Sequence, residues 1–138
     1  RGERASRGGE AARPGAGPRR MTANGAELIR GMFAAIDAGE FDRLREYFAA
    51  DVVYERPGYE PLRGIEALEN FYRHERIIAR GAHDLQGIIA EPRAAACWGR
   101  FQGLSRRGEP LDERFADVYE LRDGLVARRT THFFRPAI

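Results

Sequence analysis

The segment Phe115-Ala-Asp-Val-Tyr119 places a carboxylate between two aromatic residues, each two positions away. In an extended strand, residues two apart share a face. If Asp117 faces a cavity, so do Phe115 and Tyr119, while Ala116, Val118 and Glu120 face away. The same alternation groups Arg56 with Tyr54, and Thr131 with Arg129 and Phe133. Along 93–104 it reads as Trp98, Arg100 and Gln102 inward, with Cys97, Gly99 and Phe101 outward; a bulge would reverse that assignment. The resulting pocket has aromatic walls from Tyr54, Phe71, Tyr72, Trp98 and Phe133 around Asp117, with up to three arginines. Aromatic walls push a carboxyl group toward its protonated form, able to donate to a carbonyl, whereas a neighbouring guanidinium keeps it ionised as a base. Either form serves enolate formation or ring closure. An arginine there can also clamp a substrate carboxylate through two hydrogen bonds. Against these stands a purely structural Asp117, one half of an Arg–Asp pair that stabilises a sheet.

Other chemistries find less support. His74, His83 and His132 have no metal-ligand spacing: His74 reads as solvated, His83 as a surface residue at a strand start, and His132 as outward-facing beside Thr131. Cys97 stands alone, which allows no intrachain disulfide, fits a reducing cytoplasm, and reads as an inert buried thiol. Ser105 has no partner base nearby in sequence. All 23 basic residues are arginine, so neither a Schiff-base lysine nor a phosphate-loop lysine is available. No metal or cofactor is expected.

The charge balance divides the chain. Residues 1–20 carry six arginines against Glu3 and Glu10, whereas residues 21–138 carry 17 arginines against 19 acids. The first part, rich in Arg, Gly, Ala and Pro, cannot bury enough apolar surface to offset its ordering entropy and is expected to be a flexible basic extension. The second part is a mildly acidic single domain, which argues against nucleic acid as a partner. The charged run 69–80 and the Ser105-Arg106-Arg107 turn read as solvated faces. No apolar run approaches the ~18 residues of a membrane helix, so no membrane is expected.

The positioning elements follow from periodicity. Leu28, Ile29, Met32, Phe33 and Ile36 recur at helical spacing over 24–38, and Gly39 ends that helix. A short helix is expected over 41–49, a strand over 52–56, a turn at Pro57-Gly58 and Pro61, and a third helix over 64–79. Period-two patterning then marks four strands, 84–90, 93–104, 111–121 and 124–134. They are separated by Glu91-Pro92, Arg106-Arg107-Gly108 and Arg122-Asp123-Gly124. Helices first and a strand meander afterwards predict an α+β fold. A curved, mixed or antiparallel, cone-shaped sheet would wrap three N-terminal helices and enclose a pocket.

Three local motifs carry a resemblance: Ala-Ala-Ile-Asp-Ala-Gly-Glu-Phe-Asp at 34–42, Glu-Arg-Pro-Gly at 55–58, and Asp-Val-Tyr-Glu-Leu at 117–121. With the element order, they resemble the nuclear-transport-factor-2-like superfamily, which includes ketosteroid isomerases, limonene-type epoxide hydrolases and SnoaL-like polyketide cyclases. Carried over residue by residue, the isomerase pattern puts its oxyanion aspartate at Asp117 and its supporting tyrosine at Tyr72. It puts Arg56 where the base belongs and Met32 where the principal tyrosine belongs. The epoxide-hydrolase pattern meets Arg100-Phe101-Gln102 and Thr131, where two carboxylates are lacking. The SnoaL-like resemblance implies ring closure on a polyketide-like intermediate of natural-product or antibiotic biosynthesis, without metal or cofactor and with Asp117 as the acidic residue. A pericyclic closure is compatible. The competitors are a binding or assembly domain of the same fold, and an epoxide hydrolase with Glu55 and Asp117 as a rearranged acid pair. The resemblance also implies a homodimer through the outer sheet face.

Overall fold

The computed structural model describes residues 25–136, so the expected basic extension lies outside the described residues. Helix α1 spans Gly25–Ala38 and buries Ile29, Met32, Phe33, Ala35 and Ile36, the apolar stripe read from the sequence. Gly39 stops it with φ 73° while its N–H bonds back to the Ile36 carbonyl. A 3₁₀ turn over Phe41–Glu46, with only Leu44 buried, replaces the second helix expected over 41–49.

Six strands make one curved, unclosed sheet. They are β1 (Phe48–Glu55), β2 (Leu62–Arg63), β3 (Ile78–Ala90), β4 (Ala94–Ser105), β5 (Pro110–Arg122) and β6 (Leu125–Phe133). The spatial order is β2-β1-β6-β5-β4-β3. All pairs are antiparallel except β1 with β6, which joins the first strand to the last in parallel. The helical elements pack into the concave side, giving the cone-shaped α+β architecture that the sequence predicts.

The third helix is shorter than its pattern suggested. Helix α2 covers Ile65–Asn70, a π-helical turn covers Phe71–Glu75, and β3 has begun by Ile78. The charged run 69–80 is therefore not one solvated helix face. Arg76, at the corner, is 5% exposed, with its guanidinium 4.9 Å from the Tyr72 ring centre and 5.6 Å from that of Phe41.

The facing of β4 is the reverse of the sequence reading. Cys97, Gly99 and Phe101 are buried, whereas Trp98, Arg100 and Gln102 are exposed on the convex face. The cause is the turn after β4. Ser105 N–H bonds to the Glu109 carbonyl across Arg106-Arg107-Gly108, with Gly108 at φ 84°. That three-residue connection puts odd residues opposite odd, and the register runs unbroken from Leu104–Pro110 to Ala94–Glu120. Cys97 therefore stands opposite Asp117 and shares its inward face.

Candidate functional site

Register explains which side chains meet at the centre of the sheet. Asp117 on β5 opposes Thr131 on β6, Tyr119 opposes Arg129, and Arg129 in turn opposes Tyr54 on β1. All five side chains are buried, and Asp117 is 0% exposed.

Asp117 accepts three hydrogen bonds: from Thr131 Oγ1 at 2.6 Å, Tyr119 OH at 2.8 Å and Arg129 Nε at 2.9 Å. Receiving on both oxygens and donating nothing is the pattern of a carboxylate. Arg129 spends a second nitrogen on the Tyr72 hydroxyl at 2.8 Å. Tyr54 OH lies 2.9 Å from Thr131 Oγ1, and Cys97 Sγ lies 3.3 Å from Tyr119 OH. The Arg129 guanidinium also packs over the Tyr54 and Phe33 rings, at 4.5 and 5.1 Å from their centres.

The electrostatics follow from this wiring. Burial works to lower the affinity of Arg129 for its proton, but Asp117 and the surrounding phenols outweigh it and hold the guanidinium charged. Burial pushes the Tyr72 hydroxyl up against the opposing pull of Arg129. Burial and the charge of Asp117 together raise Tyr119 well above an ordinary phenol. Both tyrosines are therefore neutral hydrogen-bonding groups at physiological pH.

Other sequence candidates take their places around this network. Arg56, half-buried, carries its guanidinium 5.3–5.5 Å from the ring centres of Tyr59, Phe71 and Phe133, and its NH1 is 3.5 Å from Tyr54 OH. Phe71 and Met32 are buried in the core, and Phe115 is buried with its ring 5.8 Å from that of Phe33. Phe133 is half-buried at the cavity edge. Trp98, Arg100 and Gln102 do not join the pocket; Arg100 is spent on Asp112 across the convex face at 2.6 and 2.7 Å. Glu55 accepts from Thr130 and pairs with Arg128, both of which alternate with the inward Arg129 and Thr131. It thus lies on the convex side, and the Glu55–Asp117 acid pair is not assembled. His74 and His132 are exposed.

His83 is not the surface residue that its position suggested. The bulge between Leu85 and Gly87 and the start of β3 at Ile78 bring it opposite Phe101, facing inward. Its side chain is 11% exposed, and its ring lies 4.5, 4.7 and 5.4 Å from those of Phe33, Phe101 and Phe115. Asp37, at the end of α1, accepts from the His83 backbone N–H at 2.8 Å and lies 2.6 Å from Nδ1.

The inward network and His83 border one cavity, lined by Tyr54, Arg56, His83, Phe115, Arg129 and Thr131 among others, with a volume of about 20 Å³. That holds about one water molecule. As bounded by the described residues, this cavity is smaller than the several-hundred-Å³ pocket usual for small-molecule sites. Asp117 and Tyr72 are not in the wall; they stand behind Arg129 and Thr131. Among the described residues, no group of three or more His, Cys, Asp or Glu side chains is placed to hold a metal ion.

A SnoaL-like domain model matches residues 29–129. No curated protein matches the chain. Solved structures share its fold at low identity. IdmH from Streptomyces antibioticus, a proposed polyketide cyclase, is 20% identical with a TM-score of 0.67, covering 79% of this chain and 91% of its own. An epoxide hydrolase of the LEH-like type from M. tuberculosis is 18% identical with a TM-score of 0.71, covering 81% and 84%. Bal32a, from a soil-derived mobile gene cassette, is 22% identical with a TM-score of 0.71, covering 83% and 92%. At these identities the likeness establishes the fold, while the family match spans most of the domain: the chain belongs to the SnoaL-like domain family.

Proposed function

We propose that the protein is a cofactor-independent cyclase or isomerase acting on an apolar, polyketide-like intermediate of natural-product biosynthesis. The observation that carries this reading is the buried Asp117–Arg129–Tyr72 chain, in which Arg129 lines the cavity and its two partners stand behind it. A guanidinium fixed on two sides at an apolar cavity is preorganised to polarise a carbonyl, and it needs no reorganisation as negative charge develops there. Thr131 and Tyr54 offer hydroxyls beside it, and Arg56 adds positive charge among aromatic rings. Asp117 acts through Arg129 and Thr131 by positioning them. The walls would fold the substrate so that its reacting carbons meet.

The test is ring closure of a linear poly-β-ketone ester, followed by chromatography and mass spectrometry. The expected result is closure by the wild type and at least a tenfold loss in Arg129→Met and Asp117→Asn. Retained closure in both variants would overturn the reading.

The cavity of about 20 Å³ favours a second reading, a binding or assembly domain without catalysis. On that reading Asp117→Asn leaves function intact and Trp98→Ala harms association. In either case we propose a homodimer through the convex face. Trp98, Val118 and Phe134 are exposed there, and Trp98 and Phe134 border, with Ala116 and His132, a concavity of about 370 Å³.

A further inference from the structure

We infer that His83, held by Asp37, is the proton acceptor of this site, with Arg129 facing it across the cavity as the charge-stabilising group. The inference rests on the enzymic reading above and names the base that reading lacks.

Asp117 accepts three hydrogen bonds and lies behind the wall, so it is not placed to take a proton from a substrate. Arg129, held charged by Asp117 and the surrounding phenols, cannot act as a base. Tyr54 and Thr131 are hydroxyls bonded to each other. Among the described residues in the wall, His83 is the one side chain with a basic lone pair near neutrality.

Its setting fits that task. Asp37 is 2.6 Å from Nδ1 and can only accept as a carboxylate, which places the ring proton on Nδ1 and leaves the lone pair on Nε2. The backbone N–H of His83 donates to the other Asp37 oxygen, so the carboxylate is tied to the strand that carries the ring. Three phenylalanine rings pack around the imidazole. The charged groups that act on it are Asp37 from α1 and Asp117 and Arg129 from the sheet. Burial is the largest influence and, with Arg129, outweighs the two carboxylates, so the imidazole is neutral near neutral pH.

The step balances without an oxidant or co-reactant. Nε2 takes a proton from a carbon beside a substrate carbonyl. The C–H bonding pair moves into the enolate, whose oxygen bears the charge and meets Arg129 or Arg56. The imidazolium then returns its proton to a different carbon of a conjugated enolate, giving an isomer, or the enolate carbon attacks a second carbonyl. In the second case the imidazolium returns its proton to the new alkoxide, giving a ring.

The test uses nitrobenzisoxazole, which opens to a coloured phenolate when a base removes its ring C–H proton. The wild type is expected to accelerate opening over buffer, and His83→Gln to lose about a hundredfold of that rate, within the usual range for a general base. Asp37→Asn is expected to lower the rate and move the acid limb of the pH profile downward, because Asp37 raises the affinity of His83 for a proton. No acceleration by the wild type, or an unchanged rate in a folded His83→Gln variant, overturns the inference. Nitrogen NMR of histidine-labelled wild type supplies a check independent of folding: a proton on Nδ1 is expected, and one on Nε2 overturns it. This probe is not a polyketone. Benzisoxazole opening without polyketone closure would retain the base and discard the proposed substrate class, and closure without opening would do the reverse.

Discussion

Asp117 and Arg129 form an ion pair 2.9 Å long in which the two side chains are 0% and 4% exposed. Removing one partner leaves a charge in the core without its counterion, which costs about 3–5 kcal/mol in buried pairs. Asp117→Ala is therefore expected to be destabilised by that amount in urea titration. Replacing both residues with apolar ones of similar shape is expected to recover most of the loss. A single-variant cost below about 1 kcal/mol would show that water reaches the pair.

The stability of the fold is expected to fall in mild acid because of His83. Its folded-state pKa lies below the ordinary value, chiefly through burial. An unfolded histidine titrates near ~6.5, so as pH drops the unfolded chain takes up this proton first. The contribution of His83 is complete above that value and declines below it until the folded pKa is passed. In His83→Gln this component of the slope is expected to vanish, as read by denaturant midpoints across the acid range. A wild-type slope retained in the variant would assign the effect to other groups.

Cys97 is expected to resist alkylation in the native state. Burial first, and then the charge of Asp117, push its thiol up to about 11. The reactive thiolate is therefore scarce at about pH 8 and is also shielded. Iodoacetamide should label the protein only after unfolding, and native labelling at the rate of a free thiol would contradict the buried Cys97–Tyr119 contact.

The single tryptophan reports on the convex face. Trp98 is 42% exposed, and its ring covers Gly87 so closely that an added Cβ there would clash with it. Gly87→Ala is expected to swing the ring away and change its fluorescence. If a second copy covers this face, Val118→Arg should halve the particle mass at micromolar concentration and red-shift Trp98 emission. An unchanged monomeric mass in both proteins would refute the dimer.

Much of this architecture is legible in the chain because it rests on periodicity. The α1 stripe, the Gly39 stop and the alternation of Phe115, Asp117 and Tyr119 are local patterns, and they fix which faces turn inward. The facing of β4 departs from its sequence pattern for a different reason. Its side chains carry no clean alternation, since Trp98 is large, apolar and outward while Gly99 is small and inward. The signal was in the turn: three residues ending in a left-handed Gly108 force odd opposite odd, which carries the inward face from Asp117 to Cys97. His83 depended on where β3 begins and on a bulge, and neither is marked by residue type alone. Burial of Arg76 is not marked in the sequence because a helix pattern continues through a corner that the backbone turns. The small size of the cavity follows from side-chain packing at long range, which no spacing encodes.

The parallel seam between β1 and β6 bears on how the protein comes into being. Tyr54 meets Thr131 across 77 positions of sequence, and Arg129 reaches Tyr72 across 57. Contacts that distant form late, after the chain has met the entropic cost of closing a long loop. During synthesis β1 must wait at an exposed sheet edge until nearly the whole described chain has left the ribosome. Refolding is thus expected to regain the hairpins β4–β5 and β5–β6, with Asp117 and Arg129 only 12 positions apart, well before Tyr54 meets Thr131 across the seam.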